Sequence, residues 1–347
     1  MRELAYLNAG TDGPLPTRAV RAVADELERE AIDGRASAHF ARRTELNDRL
    51  RAAYARALGA ASADVALTTC TSEGIAQVVG GLALEPGDQI VTSDAEHPGL
   101  LGALGAVREL RGVEVREAPF GELAEAVSAR TRLVACSHVG WTSGLLAPAA
   151  LAELDVPVLL DGAQGVGAVP VDVRALGCDA YAGAGQKWLC GPDGTGMLWV
   201  SPRLRERLAV TRRGYTNLAE PNEGVDARPH DDARRFDAMS LSAEAVACAL
   251  ASIELLESAD WSAVHKRAGT LAARLAELLA ERGRAIAPRD ATTLVSFESR
   301  DAETERDALA ERGVIVRNIP DRPWLRASVG AWNDENDLER LLGSLSA

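Results

Sequence analysis

The sequence predicts an α/β fold, in which a mainly parallel sheet is flanked by helices and a smaller α+β domain follows at the C-terminal end. Strand-like and helix-like segments alternate between about residues 65 and 160, which is the order of parallel strand–helix–strand units. The runs 133–136 and 156–160 are apolar without interruption, as expected for strands buried on both faces. After Gly283, short strands and helices alternate irregularly, which indicates the second domain.

The individual elements are predicted from the period of the apolar residues and from the turn-forming residues between them. A turn-rich extended segment over 1–16 precedes a charged helical stretch over 17–59, which Gly34 interrupts. Strands are expected at 65–69, 89–93, 113–117, 133–137 and 156–160, with helices from 75, from 97, over 122–129 and over 149–154. Beyond an irregular stretch at 203–224, helices are expected at 241–257, 262–282, 303–312 and 335–345, and strands at 293–298, 314–317 and 325–329. We therefore expect an N-terminal segment, 1–16, packed with the small domain, a large domain over 17–245, and the small domain over 246–347.

Composition argues against several classes of function. The 347 residues carry a net charge of −13 without a basic patch, which argues against a nucleic-acid partner. No apolar run is long enough to span a bilayer, and the first residues lack the apolar core of a signal peptide, so no membrane association and a cytoplasmic location are expected. The five cysteines are scattered without a C-x-x-C pair, which favours reduced thiols over a zinc site or a disulfide framework, and no metal is expected.

A glycine-rich segment at 183–196 contains Lys187, one of only two lysines in the chain; the other is Lys266. Arginine stays protonated, whereas a buried lysine can lose its proton and act as a nucleophile. Glycines let the backbone approach a ligand closely. Lys187 is therefore a candidate catalytic residue, although a lysine in a surface turn is an alternative that this short motif leaves open.

Polar residues follow the predicted strands, at the positions where ligands bind in parallel α/β sheets. They are Thr71, Ser72, His97, His138, Asp161, Gln164 and Lys187. Thr71 and Ser72 at a helix start suit an anion such as a phosphate, and Asp161 at the end of an apolar strand needs a cationic or N–H partner. Each has a simpler alternative: Ser72 can cap its helix, and Asp161 can pair with an arginine. His97 can likewise cap a helix instead of stacking on a planar ring.

Arg326 lies on a short apolar strand, with Leu325 and Ala327 facing the opposite side. A guanidinium there suits the bidentate capture of a carboxylate, although a structural ion pair is an alternative. Together these residues suit a planar ligand that has an anionic end, a protonatable ring nitrogen for Asp161 and an aldehyde for Lys187. Pyridoxal 5′-phosphate has all of these features.

Several motifs in a fixed order carry a family resemblance. They are VLLDGAQ at 158–164 and GQKWLCGPDGTG at 185–196, together with Tyr6-Leu7-Asn8-Ala9, Glu96-His97, Ser137-His138-Val139, Arg235-Phe236-Asp237 and Leu325-Arg326-Ala327-Ser328. Over almost its whole length the sequence resembles the class V aminotransferase family of fold-type I pyridoxal-phosphate enzymes. That family includes cysteine desulfurases, selenocysteine lyases and isopenicillin N epimerase-like proteins.

The resemblance implies a role for each candidate residue. Lys187 would hold the cofactor as a Schiff base and move the substrate proton, with Asp161 and His97 completing the catalytic set. The cofactor would be bound by Lys187, Asp161, Gln164 and His97 around its ring and by Thr71, Ser72 and Gln186 near its phosphate. Ser240 would reach the phosphate from the neighbouring subunit of a homodimer. Arg326, Asn8 and Trp141 would bind the amino-acid substrate.

Departures from the family pattern accompany the resemblance. Gln186 replaces the common histidine before the lysine, Ala184 replaces a serine, and Met239-Ser240 replaces Gly-Thr. Trp141 stands where desulfurases tend to have asparagine, as in the epimerase-like branch. No cysteine follows Cys248, although a desulfurase needs a mobile cysteine in its C-terminal domain to accept sulfur.

The expected function is a pyridoxal-phosphate enzyme that acts on an amino acid through an external aldimine, as an aminotransferase or a C–S lyase. Desulfurase, selenocysteine lyase-like or epimerase activity is the first alternative, and a non-catalytic protein of the same fold is the second. A nucleotide-binding enzyme is disfavoured, because the G-x-x-x-x-G-K-[ST] spacing is absent. The sequence identifies neither the amino acid nor which of transamination, elimination and epimerisation occurs.

Overall fold

The computed structural model describes residues 4–345; residues 1–3 and 346–347, at the ends of the predicted N-terminal segment and small domain, lie outside the described part. The strands are β1 (Ala5–Tyr6), β2 (Val65–Thr68), β3 (Gln89–Ser93), β4 (Glu114–Ala118), β5 (Thr131–Ser137), β6 (Val158–Asp161), β7 (Ala180–Ala184), β8 (Gly196–Val200), β9 (Leu294–Glu298), β10 (Val314–Ile315), β11 (Arg317–Ile319) and β12 (Trp324–Ser328). The α-helices are α1 (Thr17–Asp33), α2 (Ser37–Ala57), α3 (Thr71–Gly81), α4 (Pro98–Arg111), α5 (Pro202–Arg205), α6 (Ala243–Ser258), α7 (Trp261–Glu281), α8 (Ala302–Glu311) and α9 (Glu335–Ser344).

A seven-stranded sheet forms the centre of the larger part, in the order β2-β8-β7-β6-β5-β3-β4. Strand β8 is antiparallel to both of its neighbours, and the pairs from β7 to β4 are parallel. The carboxyl ends of β2, β3, β5, β6 and β7 therefore meet at one edge of the sheet. The predicted α/β class with a mainly parallel sheet is confirmed.

Apolar side chains cover both faces of this sheet. On β5, Leu133 and Ala135 belong to the cluster packed under α3 and α4, whereas Val134 and Cys136 belong to the cluster packed under α2 and α6. Successive residues of a strand point to opposite faces, so an uninterrupted apolar run is buried on both sides. This rigid double layer holds the carboxyl edge in position.

The smaller part contains the antiparallel sheet β11-β12-β9 with α7, α8 and α9. β1 pairs in parallel with β10, and Ala5 and Leu7 are buried in the apolar cluster of this part. The predicted boundary after residue 245 falls in the first turn of α6, which packs on α1 and α2. None of the helices within residues 4–345 combines the length and apolarity that crossing a membrane requires.

Two predicted helices are wrong. Residues 122–129 form turns after a short 3₁₀ helix, Phe120–Glu122, and 149–154 is the 3₁₀ helix Ala149–Glu153. The Ser128 N–H bonds to the Thr131 hydroxyl and the Thr131 N–H returns to the Ser128 carbonyl, which closes a turn in place of a helix. The sequence also gave no expectation of β7 and β8, because β7 consists largely of alanine and glycine, which are poor strand formers.

Candidate active site

A cavity of about 190 Å³ lies at the carboxyl edge of the sheet. All but two of the predicted site residues line it: Thr71, Ser72, His97, Trp141, Asp161, Gln164, Gln186, Lys187 and Arg326. Asn8 and Ser240 do not. A larger groove of about 660 Å³ between α2 and α7 contains none of these residues, so the smaller cavity is the candidate site.

Lys187 follows β7 in a loop held against the N-terminal segment. The Gly13 N–H donates to the Gln186 carbonyl at 2.7 Å, and a Cβ on Gly13 would lie 2.0 Å from the Lys187 carbonyl oxygen. Burial lowers the pKa of Lys187 to about 8; nearby Asp161 opposes this effect and Arg326 adds to it. The amine therefore reaches its neutral, nucleophilic form much closer to neutral pH than an exposed lysine does.

We expect the free energy of unfolding of the cofactor-free protein to rise with pH between about 8 and 10.5 through this residue. In that window the unfolded chain keeps the Lys187 proton and the folded chain releases it, so the slope is positive and at most about 1.4 kcal/mol per pH unit. Below pH 8 both states hold the proton. Urea unfolding of wild type and Lys187→Met from pH 7 to 10 measures the difference. Parallel curves for the two proteins would contradict the assigned pKa.

Asp161 ends β6 with its side chain buried, 5% exposed. One carboxylate oxygen accepts the Ala163 N–H at 2.9 Å, and within residues 4–345 no arginine lies within ion-pair distance. Burial raises the pKa of Asp161, while the charge of Lys187 and the Ala163 N–H lower it. The carboxylate is thus held in the cavity without the arginine partner that the sequence left open.

The start of α3 forms one end of the cavity. Its N-cap is Cys70, which makes no side-chain capping bond, so Ser72 is not the cap that the sequence allowed. The Thr71 hydroxyl is buried without a partner, and a Cβ on Gly99 in the first turn of α4 would lie 2.4 Å from the Ser72 hydroxyl. Two helix N-termini and unpaired hydroxyl capacity converge here, which suits a phosphate.

His97 is the N-cap of α4 and also lines the cavity. Its Nδ1 accepts the Gly99 N–H at 3.0 Å, so the neutral ring carries its proton on Nε2. The ring meets Trp141 edge-on, with centroids 5.2 Å apart. Burial, followed by the charges of Lys187 and Arg317, lowers the pKa of His97 to about 4. His97 is therefore an uncharged ring at neutral pH, both cap and cavity wall.

Arg326 is a buried cation without a carboxylate partner among the described residues. It is 1% exposed; its Nη1 donates to the Trp141 carbonyl at 2.8 Å, and its Nε and Nη2 have no hydrogen-bond partner. Burial and the nearby Arg317 lower the pKa of Arg326 to about 9. A buried guanidinium with free donors requires an anion, because desolvating it without one is costly.

Arg317 is a cavity residue that sequence reasoning missed. It pairs with Arg326 across β11 and β12, and its guanidinium lies 5.9 Å from the centre of the Trp141 ring. The predicted strand 314–317 is in fact two strands, and the second forms a hairpin with β12. A hairpin around residues 320–323 would have placed Arg317 opposite Arg326, so the signal was the spacing of the two short strands.

The N-terminal segment closes one side of the cavity. The Gln164 amide donates to the Gly10 carbonyl at 2.7 Å and accepts the Trp188 indole N–H at 3.0 Å. Asn8 lies behind this wall: its side-chain oxygen accepts the hydroxyl of Thr11, which does line the cavity. Ser240 is exposed on the surface and does not reach the cavity of its own chain.

The donors of the cavity fit pyridoxal phosphate. The unpaired Thr71 hydroxyl and two helix starts suit its phosphate, the unpaired carboxylate of Asp161 suits its ring nitrogen, and the Lys187 amine suits its aldehyde. Within residues 4–345, no three His, Cys, Asp or Glu side chains are grouped as a metal site would require.

Comparisons with known proteins agree with this geometry. The family model described as Aminotransferase class-V matches residues 5–341. The chain is 31% identical to isopenicillin N epimerase of Streptomyces clavuligerus, over 98% of the chain and 94% of that protein, and 31% identical to a probable cysteine desulfurase of Pseudomonas aeruginosa, over 99% and 93%. The solved complex of the cystine C–S lyase C-DES with its product cysteine persulfide is similar at a TM-score of 0.92 and 26% identity, over 98% of this chain and 96% of that one.

Proposed function

Because this chain belongs to the aminotransferase class-V family, an enzyme family that uses pyridoxal phosphate, we propose that it is a C–S lyase that removes a sulfur leaving group from Cβ of an α-amino acid. The observation that carries the proposal is Arg326, a buried guanidinium with free donors beside the only amine of the cavity, Lys187. That pair suits the carboxylate and the α-carbon of one amino acid.

The residues of the cavity divide the work of holding the cofactor. Lys187 holds it covalently, Asp161 bonds its ring nitrogen, Gln164 contacts the ring hydroxyl and His97 stacks on the ring. Thr71, Ser72 and Gln186 hold the phosphate. When bound, pyridoxal phosphate supplies an electron sink for the negative charge that develops at the substrate Cα.

Lys187 also serves as the general base. With a pKa near 8, its amine has a useful neutral fraction at neutral pH, so it can take the proton from the substrate Cα. Arg326 fixes the carboxylate and thereby orients that C–H bond. The Cβ–S bond then breaks and its electron pair leaves with sulfur. Neutral His97 gives no proton to that sulfur, because its pKa is about 4.

A lyase is favoured over a desulfurase by the position of the thiols. No cysteine follows Cys248 in the sequence, and the turn after β11, which a sulfur-accepting loop would occupy, contains none. Four of the five thiols are buried, and only half-buried Cys70 lines the cavity, at its phosphate end. A buried thiol is a poor nucleophile; burial raises the pKa of Cys190, for example, to about 12.

Replacing each cysteine by alanine is therefore expected to leave turnover within about a factor of ten of wild type, with Cys70→Ala showing the largest change through the phosphate end. Sulfur release and the visible spectrum of the bound cofactor are measured for each variant. One replacement that abolishes sulfur release while the spectrum and substrate binding are unchanged would identify a sulfur carrier and favour a desulfurase.

Arg317 supports a substrate larger than a simple amino acid. Its guanidinium adds a second positive charge to the cavity beyond what one carboxylate needs. A leaving group that carries its own carboxylate would use that charge. A disulfide amino acid such as cystine has this chemistry, and the similar solved structure is named a cystine lyase.

A panel of amino acids tests the proposal. Cystine, cysteine, alanine and glutamate are incubated with the holoenzyme, with and without a keto acid, and pyruvate, ammonia and released sulfur are measured. The proposal expects keto-acid-independent pyruvate and ammonia from a sulfur amino acid. Amino transfer that requires a keto acid would indicate an aminotransferase, and loss of optical activity without release would indicate an epimerase, as one relative is named.

We also propose a homodimer in which Ser240 of one chain reaches the phosphate site of the other. Val20, Leu27, Ile32 and Phe40 on α1 and α2 are about half or more exposed, which is unusual for a free surface. Met239, beside Ser240, is 44% exposed, and Arg43 of α2 bonds the Leu241 carbonyl, so Ser240 borders this apolar surface. Reduced thiols, all unpaired in the described chain, support a cytoplasmic location.

Phe40→Glu is expected to dissociate the dimer and to weaken cofactor binding, because a charge would be buried at the interface. Light scattering measures the mass and a pyridoxal phosphate titration measures binding. Leu110→Glu, at an 80% exposed position on α4, is the matched control and should remain dimeric. A wild-type protein that is a fully active monomer would defeat the dimer proposal.

A further inference from the structure

Glu96 is a buried carboxylate that the mechanism does not use. It lies in the turn between β3 and α4, one residue before His97, and is 5% exposed. The hydroxyls of Ser93 and Ser137 each donate to it at 2.5 Å, and the Ser137 N–H lies 3.0 Å from both carboxylate oxygens. Within residues 4–345 no cation lies within ion-pair distance of Glu96. Neutral donors alone therefore hold this carboxylate.

These bonds connect two elements of the active site. Ser137 is the last residue of β5, and its register partner on β6 is Asp161. On the other side of the turn, the Asp94 N–H bonds only to the Ala118 carbonyl of β4, which lies away from Asp161. The Glu96 carboxylate is thus the direct link between the turn that carries His97 and the strand beside Asp161.

The charge of Glu96 also acts on the site. Burial raises the pKa of Glu96, and the negative charge of Asp161 adds to this rise, while the bonds from Ser137 and Ser93 lower it. An interaction between two charges is mutual, so an ionised Glu96 favours any positive charge that Asp161 binds. A protonated ring nitrogen is such a charge.

We propose that Glu96 is a positioning residue, which fixes His97 relative to Asp161 and adds a second negative charge beside the cofactor ring. The inference rests on the proposed function for the roles of His97 and Asp161, and on the four contacts of Glu96 for the link between them. It concerns affinity and ring orientation, and Glu96 itself touches neither substrate nor cofactor.

Two variants separate the charge from the clamp. In Glu96→Gln, the amide oxygen can still accept from the Ser93 hydroxyl and the Ser137 N–H, and the amide nitrogen can donate to the Ser137 hydroxyl, so mainly the charge is lost. In Ser137→Ala, the charge is kept and one of the two short hydroxyl bonds is lost. Both changes are conservative enough for folding to be measured alongside function.

Asp179→Asn is the matched control. Asp179 is also buried, 6% exposed, and accepts from the Val158 N–H and the Ser201 hydroxyl, with Arg203 as its ion partner. It precedes β7, at the amino edge of the same sheet, away from the cavity. Its loss is expected to lower the melting temperature and to leave the cofactor unaffected.

The readouts are the dissociation constant of pyridoxal phosphate for the cofactor-free protein, the induced circular dichroism of the bound cofactor, and the melting temperature. Glu96→Gln is expected to weaken binding about tenfold, as loss of an outer partner of a ligand-binding group commonly does, and Ser137→Ala is expected to reduce the induced dichroism by about half. Asp179→Asn keeps both wild-type values.

Variants at 96 and 137 that behave like Asp179→Asn, with a lower melting temperature but wild-type affinity and dichroism, would overturn the inference and leave Glu96 a purely structural residue. A wild-type protein that develops no visible band with pyridoxal phosphate would instead overturn the proposed function, and this inference with it. The two failures are therefore distinguishable in one experiment.

Discussion

Lys187→Ala is expected to lower turnover by at least about 10³-fold and to abolish the visible band that borohydride fixes to the parent protein. Lys187 is the only lysine that lines the cavity, and its buried amine is both the covalent anchor for the cofactor and the base for the substrate proton. Because one side chain carries both roles, no other described residue can replace it.

Lys266→Ala is the matched control, since Lys266 is the only other lysine in the chain and lies in the groove beside α7. It should retain the band and the activity. Pyridoxal phosphate titration with absorbance, followed by borohydride reduction and mass measurement, locates the attachment. A parent protein that stays colourless at saturating cofactor would remove the central assignment.

Arg326→Ala is expected to reduce kcat/KM for amino acids by roughly 2–5 kcal/mol, that is, from tens to thousands of fold. The buried guanidinium has free donors on Nε and Nη2 and no carboxylate partner among the described residues, so the substrate carboxylate is its natural counter-ion. For the corresponding amine without a carboxylate, the loss should be much smaller.

Two further variants sharpen this test. Arg326→Lys keeps a charge but cannot make the bidentate contact, so it should recover only part of the activity. Arg317→Ala leaves the α-carboxylate contact intact and should affect substrates with a second carboxylate most. Kinetics with paired amino-acid and amine substrates measure all three. Equal losses for both kinds of substrate in Arg326→Ala would sink the carboxylate assignment.

Most of the candidate site was predictable because strand ends are local signals. Asp161 follows an apolar run and Lys187 lies among glycines, and in a parallel sheet both positions reach the same edge. Arg317 was missed because its neighbour in space, Arg326, depends on a hairpin register that no local pattern fixes. Asn8 was misplaced by one layer, since Thr11 in the same turn faces the cavity instead.

The fold followed from apolar periodicity wherever the period was strong. β3 was predicted to the residue, and α7 to within one residue at each end. The segments 122–129 and 149–154 failed because they are short, and side-chain bonds or flanking prolines close turns there. β8, the strand that runs against its neighbours, had no local signal; β2 and β7 pair with it on either side.

The sequence by itself determined the α/β fold, the cofactor and the identity of the reactive amine, because apolar period, glycine content and the order of motifs are local properties of the chain. Only the tertiary structure decided which charges lack partners. Arg326 meets the carbonyl of Trp141, 185 positions away, and no carboxylate; Glu96 meets Ser137, 41 positions away, and no cation. Whether a charged group is paired depends on residues distant in sequence that folding brings within about 3 Å, and that distance determines whether the group is a structural ion pair or a binding site.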